Sequence, residues 1–503
     1  MKSVRLTALA LVLAAMAGPA LAQDKGADKK ADAPAEKVQP QVHSTRLSGT
    51  FGGVRMNYTA TIGETILAAE DGTQKAAIVT TSYVKEPRDP NRPVTFLFNG
   101  GPGSGSVWLQ MGAFGPKRVD IPSDARDDGA PPYPIVDNPD SLLDVTDLVF
   151  IDPPGTGFSH LIGKTEAKEF YGVTQDAKAV AEVIRRWLGD NGRWNSPKFL
   201  GGESYGTSRS AAVANQLMNV TYNDVALNGI ILISTILDFA AASETPGNEL
   251  PYITNLPSMA AVALYHGKTS GPPVEQFVQE ARQFAIGPYA SALLKGQHLS
   301  PEEHASIRRQ LAHYTGLSET YLEEADLRVT PGRFFKELLR DRGLTIGRLD
   351  SRYTGKDYDN AGENVDNDPS FYGIDASYTA AVNTWERGVL GFKTDREYQS
   401  ISGIGGQWDW NLGSGGRDSV AYLNVAPYIG QALRENSGLR VFVGQGYYDF
   451  ATPFFGAEYA LSRSGIPQDR IQYHYYGAGH MMYVRDEDRA KLTRDVRDFI
   501  RSR

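Results

Sequence analysis

One serine, placed between a short apolar run and a helix-forming stretch, limits the possible folds of this chain more than any other feature. It is Ser204, in the sequence Gly-Glu-Ser-Tyr-Gly at 202–206, which follows Lys-Phe-Leu-Gly at 198–201. A serine on a very sharp turn from strand to helix has strained backbone angles, and neighbouring chain comes so close that only glycine fits two positions to either side. The pattern therefore predicts a nucleophile elbow, with the hydroxyl of Ser204 standing clear of a sheet edge.

The flanking segments distinguish an elbow from a glycine-rich turn, which a chain with 52 glycines can produce by chance. Continuous apolar runs at 93–98, 142–152 and 227–234 have the composition of strands buried on both faces. Apolar residues at helical spacing at 173–187 connect the second run to the elbow. Strand and helix thus alternate as in βαβ units, and the sequence predicts an α/β fold with a doubly wound, mostly parallel sheet.

Further strands are predicted on both sides of this region. The alternating runs at 54–62 and 76–84 are typical of antiparallel strands at one edge of a sheet. Near the C-terminus, buried runs at 439–446 and 471–476 extend the sheet, and an amphipathic helix at 486–500 follows them. The sheet is therefore expected to combine two parts of the chain that are far apart in sequence.

A long middle region interrupts this alternation. The 503 residues exceed what one compact unit of ordinary size needs, so an insertion is expected. From about 238 to 416 the sequence has helical stretches and loops rich in Gly, Asp and Asn, without a convincing buried strand. We interpret residues 238–416 as a largely helical inserted cap, and residues 45–237 and 417–503 as the two parts of the α/β core.

The N-terminal segment has the composition of an export signal. Residues 1–22 contain a basic start, an apolar run and the small residues Ala-Leu-Ala before Gln23, as in a secretory signal peptide. The apolar run is shorter than the roughly 20 residues that a spanning helix needs. Residues 23–44 carry almost no large apolar side chains and are predicted to be a flexible leader. We expect a secreted, periplasmic protein whose mature form has no membrane attachment.

Composition excludes several classes of site. The chain has no cysteine, so disulfides, thiolate metal ligands and a thiol nucleophile are excluded. Loss of residues 1–22 removes two positive charges from a net charge of −8, and an acidic chain is not expected to bind nucleic acid. The Asp-rich stretch at 357–368 resembles a calcium loop, but Ala361 and Asp368 stand at ligand positions that need other residues. We therefore predict no metal and no cofactor; the oligomeric state stays open.

Two residues late in the chain are candidate partners of Ser204. Asp449 follows the apolar run at 441–443, and His480 follows the glycines at the end of the next predicted strand. The order serine, acid, histidine is that of an α/β-hydrolase triad, with all three on loops at the same edge of the sheet. The histidine would take the proton of the hydroxyl, and the aspartate would fix its tautomer. Asp449 as a turn-capping acid and His480 as a structural histidine remain the alternatives, and His160 is a weaker candidate base because it precedes the serine.

The loop after the first buried run is the candidate oxyanion hole. Its sequence is Asn-Gly-Gly-Pro-Gly at 99–103. Consecutive glycines let backbone N–H groups approach a tetrahedral oxyanion where a side chain would block them. We predict that the N–H groups of Gly101 and Tyr205 form the hole. A plain Gly-Pro turn is the alternative, but it does not explain a second adjacent glycine.

Taken together, five motifs resemble those of the serine carboxypeptidase family, which has the α/β-hydrolase fold. They are Asn-Gly-Gly-Pro-Gly at 99–103, Asp-Pro-Pro-Gly-Thr-Gly-Phe-Ser at 152–159, Gly-Glu-Ser-Tyr-Gly at 202–206, Tyr-Asp-Phe at 448–450 and Gly-His-Met at 479–481. The resemblance implies a secreted bacterial member of this family. It also implies that Asn99 and Glu203 help to hold the terminal carboxylate of the substrate. A protonated acid in that role would tie binding to low pH.

The chain departs from the family pattern at three positions. Ser104 and Thr207 stand where the family commonly has cysteine and glycine, and Ala113 stands where it usually has a second carboxylate-binding glutamate. The predicted function is a serine-type carboxypeptidase that releases C-terminal residues from peptides through an acyl-enzyme. The alternatives are an esterase or acyltransferase with the same triad, which Ala113 favours, and a peptide-binding protein without turnover.

Overall fold

A ten-stranded mixed sheet forms the centre of the molecule in the computed structural model, which describes residues 37–219, 223–412 and 422–502. Residues 40–503 form one compact unit. Of the preceding unit, residues 1–39, only 37–39 are described, so the predicted signal peptide and most of the predicted leader lie outside the described residues. No helix in the described ranges combines the length and the apolar character needed to cross a bilayer.

The strands are β1 (Val42–Phe51), β2 (Val54–Ala68), β3 (Gln74–Glu86), β4 (Val94–Phe98), β5 (Lys117–Val119), β6 (Ile135–Asp137), β7 (Asp147–Ile151), β8 (His160–Leu161), β9 (Lys198–Ser204), β10 (Gly229–Thr235), β11 (Thr345–Ile346), β12 (Thr354–Gly355), β13 (Arg440–Gly446) and β14 (Ile471–Tyr476). The α-helices are α1 (Val173–Asp190), α2 (Tyr205–Met218), α3 (Leu250–Tyr265), α4 (Val274–Phe284), α5 (Ala290–Lys295), α6 (Pro301–Thr315), α7 (Glu319–Glu324), α8 (Pro331–Glu337), α9 (Pro369–Tyr372), α10 (Asp375–Asn383), α11 (Ala426–Glu435), α12 (Phe454–Leu461) and α13 (Asp486–Arg501).

The sheet is parallel except at one edge. Its strand order is β1-β2-β3-β7-β4-β9-β10-β13-β14, with β8 beside β3. The strands from β7 to β14 in this order run parallel, whereas β1, β2 and β3 pair antiparallel with each other, and β3 pairs antiparallel with β7. The predicted fold class, an α/β-hydrolase sheet with a helical insertion, is confirmed.

Hydrophobic cores cover both faces of the sheet. Leu200 and Ile230 point into the core that contains α1, α2 and α11, whereas their neighbours Phe199 and Ile231 point into the core that contains α13. Because successive side chains of a strand point to opposite faces, a strand buried on both sides is apolar throughout. The carboxyl ends of β9, β13 and β14 meet at one edge, which is followed by the segments of Ser204, Asp449 and His480.

The helices α3 to α10 occupy the chain between β10 and β13. Helices α3 to α8 enclose a core of their own, with members such as Leu256, Phe284 and Phe334, which continues to Tyr448 and Phe450 in the loop after β13. The insertion therefore packs directly on the loop that carries Asp449. Helix α10 instead packs into the core that contains α13. The predicted limits of the cap, 238–416, remain a prediction.

Local chemistry explains where the structure differs from the predicted elements. The apolar run at 142–152 forms strand only at β7, because residues 142–144 form a 3₁₀ turn whose start is capped by the Ser141 hydroxyl accepting from the Leu143 N–H. Strand β1 begins at Val42, inside the range predicted as leader. The short strands β5, β6, β8, β11 and β12 carry too few residues to show a period in the sequence.

Candidate active site

Ser204 lies on the turn between β9 and α2. Its φ of +61° and ψ of −132° are strained for a non-glycine residue, as in a nucleophile elbow. A Cβ on Gly202 would lie 2.0 Å from the carbonyl oxygen of Gly206, and a Cβ on Gly206 would lie 2.9 Å from that of Phe98. Both positions therefore require glycine, because the neighbouring backbone approaches as closely as the Gly-x-Ser-x-Gly spacing predicts.

The loop at 99–103 packs against this turn. A Cβ on Gly100 would lie 2.5 Å from the Tyr205 nitrogen, so glycine is what lets the loop reach the start of α2. Gly101 has a φ of +99°, and its N–H donates no hydrogen bond among the described residues. The Tyr205 N–H belongs to the first turn of α2, where N–H groups have no intrahelical acceptor. Both groups are thus available to a bound oxyanion.

Asp449 is fully buried in the loop after β13 and accepts four hydrogen bonds. Oδ1 accepts from the N–H groups of Ala451 (2.7 Å) and Thr452 (3.1 Å). Oδ2 accepts from the Thr452 hydroxyl (2.7 Å) and lies 2.8 Å from His480 Nδ1. Burial alone would raise the pKa of Asp449, but the charge of His480 and these hydrogen bonds hold it below its ordinary value. Asp449 is therefore a carboxylate that fixes the histidine ring.

His480 follows β14 and is held at both ends of its backbone unit. Its N–H donates to the Leu349 carbonyl (2.6 Å), and its carbonyl accepts from the Ser234 hydroxyl (2.5 Å). Burial lowers the pKa of His480, but the charge of Asp449 and its hydrogen bond outweigh burial and raise it above its ordinary value. With Nδ1 facing Asp449, Nε2 is the ring nitrogen left for a reacting group.

A cavity of about 450 Å³ brings the predicted residues together. Its walls include Ser204, His480, Gly101, Asn99 and Glu203. In the part of the chain that the structure describes, no hydrogen bond joins the Ser204 hydroxyl to His480. Catalytic hydrogen bonds are often long without substrate and tighten in the complex, so the shared cavity is the relevant geometry.

Glu203 is a buried acid beside the serine. Its Oε2 accepts from the Tyr483 hydroxyl at 2.7 Å. Burial raises the pKa of Glu203 to about 7, although the charge of His480 and hydrogen bonds from Tyr483 and Asn99 oppose the increase. Asn99 is also buried, and its Oδ1 accepts from the Leu109 N–H at 3.0 Å, which directs its amide nitrogen the other way. Near neutral pH, Glu203 is therefore partly protonated and able to donate a hydrogen bond.

Ala113 lies in a buried π-helical turn, Leu109–Phe114. A Cβ on the preceding Gly112 would lie 2.5 Å from the Tyr378 hydroxyl and 2.7 Å from the Tyr483 ring. Two tyrosines thus fill this side of the site, and one of them, Tyr483, supplies the hydrogen bond to Glu203. The hydrogen bond that Glu203 accepts from Tyr483 thus comes from a neutral hydroxyl, and Ala113 carries no acid.

Sequence reasoning did not identify several residues that position the site. Tyr483 and Thr452 each lie three residues after a predicted residue, His480 and Asp449, and a search of such near neighbours for hydroxyl groups would have found them. Leu349 comes from the inserted region and has no sequence signal, because its contribution is a backbone carbonyl.

The weaker candidates lie elsewhere. His160 is half-buried, with Nδ1 3.1 Å from the Phe158 carbonyl, and is not among the residues that line the Ser204 cavity. In the stretch at 357–368, Asp357 pairs with Lys336 at 2.6 Å, and Asp359 accepts from backbone N–H groups of its own turn. The described residues contain no group of three or more acidic or histidine side chains that could hold a metal ion.

Comparison with known families bears on the N-terminal half of this site. Residues 82–266 match the family model described as serine carboxypeptidase. The match covers less than half of the chain and shows that this segment is similar to the serine carboxypeptidase family. The match contains Asn99, Glu203 and Ser204, whereas Asp449 and His480 lie beyond it, so the structure alone places them at the site. The match supports a serine hydrolase, and the sheet has the topology of the α/β-hydrolase fold.

Solved structures similar to this chain have other activities in their names. An esterase from Rhodococcus has 14% identity and a TM-score of 0.32, covering 87% of this chain and 98% of its own. The epoxide hydrolase of Aspergillus niger has 13% identity and a TM-score of 0.33, covering 88% and 78%. A peroxisomal alpha-beta-hydrolase of Saccharomyces cerevisiae has 9% identity and a TM-score of 0.32, covering 93% and 91%. A search of curated proteins found no match.

Proposed function

We propose that this protein is a serine-type carboxypeptidase that releases C-terminal residues from peptides through an acyl-enzyme. The observation that carries the proposal is the cavity itself. It joins a serine on a strained elbow, a histidine bonded to a buried aspartate, and a buried acid, Glu203, at the serine's side. The first three groups suit attack on an acyl carbon, and the fourth suits recognition of a carboxylate.

In the proposed reaction, His480 Nε2 takes the proton of the Ser204 hydroxyl as its oxygen attacks the carbonyl carbon before the terminal residue. Asp449 holds the imidazole in the Nδ1–H tautomer and stabilises the imidazolium. The N–H groups of Gly101 and Tyr205 hold the oxyanion. His480 then gives its proton to the leaving amine, and a water molecule activated by the same ring hydrolyses the ester to Ser204.

Recognition of the free C-terminus is assigned to Asn99 and Glu203. The Asn99 amide can donate to a carboxylate without changing charge, and protonated Glu203 can share its hydrogen with one. A site built to hydrogen-bond a group strongly rejects an analogue that lacks it, because buried polar atoms are left unpaired. The C-terminal carboxylate would therefore be a required feature of the substrate.

The test compares one peptide with a free C-terminus and the same peptide with a C-terminal amide. We expect kcat/KM to be at least about 100-fold higher for the free acid. Product analysis by mass spectrometry should show loss of single residues from the C-terminus only. Equal rates on both peptides, or cleavage inside an end-blocked peptide, would remove the carboxypeptidase assignment while leaving the serine hydrolase in place.

The pH dependence of KM tests the part played by Glu203. Since the folded pKa of Glu203 is about 7, the acid loses its hydrogen as the pH rises through that value and then repels a carboxylate. We expect KM for the free-acid peptide to increase between pH 6 and pH 8, and this increase to be absent in Glu203→Gln, whose side chain is uncharged throughout. If KM of Glu203→Gln depends on pH as KM of the wild type does, this role of Glu203 is contradicted.

An esterase or acyltransferase is the second candidate function, and Ala113 is the observation that favours it. Because Ala113 has no carboxyl group, Glu203 would bind a substrate carboxylate without the second acid of the family pattern, which weakens the demand for a carboxylate. This candidate predicts a short-chain ester turned over faster than any peptide, with the C-terminal amide making no difference. A peptide-binding protein without turnover would not react with a fluorophosphonate at all.

Export to the periplasm is proposed on the composition of residues 1–22, and peptides are the proposed partners there. The first residue of the mature protein, determined after expression with the full N-terminus, tests the predicted cut before Gln23. An intact N-terminus on protein recovered from the cytoplasm would contradict it.

A further inference from the structure

A cation from the inserted region, Arg348, lines the cavity beside His480. Its side chain is exposed, and among the described residues it has no ion pair and no hydrogen-bond acceptor. Asp368 lines the same cavity, but its carboxylate already accepts hydrogen bonds from neighbouring groups. Its carboxylate accepts from the N–H groups of Arg348, Leu349 and Ser370 and from the Ser370 hydroxyl. A positive charge therefore faces the cavity without an acidic partner.

The backbone around Arg348 is fixed to both catalytic loops. The carbonyl of Arg348 accepts from the Phe450 N–H at 3.1 Å, and that of Leu349 accepts from the His480 N–H at 2.6 Å. A Cβ on Gly479 would lie 2.4 Å from the Leu349 oxygen, so a glycine precedes His480 where this backbone passes. The side chain of Arg348 therefore extends from a backbone that hydrogen bonds hold next to His480.

Its position relative to His480 indicates which part of a substrate it meets. The histidine of such a triad delivers its proton to the leaving amine, so the leaving group occupies the histidine side of the cavity. The charge of Arg348 acts on the His480 ring and opposes the rise in its pKa, as expected for neighbours. In a carboxypeptidase, the leaving group is an amino acid whose carboxylate is free.

We propose that Arg348 is a specificity-determining residue that binds the α-carboxylate of the residue to be released. This inference rests on the proposed carboxypeptidase activity. A guanidinium presents parallel N–H groups to a carboxylate and keeps its charge at every working pH. Arg348 therefore supplies a carboxylate-binding group that Ala113 lacks. It also binds the carboxylate at a pH at which Glu203 is ionised and would repel the substrate.

The experiment measures the preference of each variant for a free-acid peptide over its amide. In Arg348→Met we expect this ratio of kcat/KM values to fall roughly 10- to 100-fold, mainly through KM, with a smaller fall in Arg348→Lys. Arg309→Met is the matched control, because Arg309 is an exposed arginine of α6 away from the cavity, and the ratio should be unchanged. Labelling of Ser204 by an uncharged fluorophosphonate shows that each variant is folded; if Arg348→Met fails to label, Arg348→Gln takes its place.

A third substrate distinguishes the two carboxylates that a released residue can carry. This substrate is a peptide amide whose last residue is glutamate. Its kcat/KM is compared with that of the same peptide amide ending in glutamine. If wild type favours glutamate there and Arg348→Met removes that preference, the anion bound is the side chain and the proposal is overturned. An unchanged acid-to-amide ratio in Arg348→Met overturns it as well. If the wild type shows no preference for the free-acid peptide over its amide, the proposed carboxypeptidase function itself is overturned, whatever the Arg348 variants show.

Discussion

Replacing Ser204 by alanine is expected to lower kcat for peptide hydrolysis by roughly 10⁶-fold, the scale on which the loss of a triad nucleophile acts. The reason is chemical rather than structural. Ser204 makes no side-chain hydrogen bond among the described residues, so removing its hydroxyl breaks none, and the melting temperature should stay close to that of wild type. The variant should also fail to react with a fluorophosphonate. Steady-state rates, thermal melting and mass spectrometry of the labelled protein measure these three results.

Ser104→Ala is the control for this experiment. Ser104 lines the same cavity, and its hydroxyl accepts from the Trp108 ring N–H at 3.2 Å. It is not on the elbow, so the variant should still become labelled and still turn over substrate. Labelling that persists in Ser204→Ala and disappears in Ser104→Ala would transfer the nucleophile to Ser104 and remove the proposed mechanism.

Most of the fold could be predicted because buried parallel strands leave a strong sequence signal. Strands β4, β9, β10 and β13 each contain an apolar run and are buried along almost their whole length, because both of their faces are covered. What could not be predicted has no such period. Strands β5 and β8 have three and two residues, and the 3₁₀ turn at 142–144 depends on one capping hydroxyl inside an apolar run.

The candidate site divides along the same line. Ser204, Asp449 and His480 could be proposed because each follows a strand of a parallel sheet, and such ends share one edge. The structure places Ser204 and His480 in one cavity and Asp449 beside His480, while their catalytic roles stay predictions. Arg348 could not be found in this way. It follows the two-residue strand β11 inside the insertion, and its position depends on tertiary contacts with the loops of Asp449 and His480.

The substitution Asp449→Asn is expected to reduce kcat about 10⁴-fold without unfolding the protein. The geometry fixes how the new amide sits. Oδ1 of Asp449 accepts from the N–H groups of Ala451 and Thr452, and those donors will keep the amide oxygen of asparagine in place. The amide nitrogen must then face His480 Nδ1, to which it donates. This moves the ring hydrogen to Nε2, so His480 can no longer take the proton of Ser204.

Asp495→Asn is the matched control, because Asp495 also pairs with a histidine, its Oδ2 lying 3.2 Å from His474 Nδ1. That pair does not line the Ser204 cavity, so its loss should change kcat little. Fluorophosphonate labelling of Ser204 should slow in Asp449→Asn and not in Asp495→Asn, since labelling needs the same base. A tautomer effect also predicts that Asp449→Ala retains more activity than Asp449→Asn, because it leaves only the Thr452 hydroxyl, 3.2 Å from Nδ1 and able to accept as well as donate, facing that nitrogen. Asp449→Asn within tenfold of wild type would mean that His480 does not act through this carboxylate.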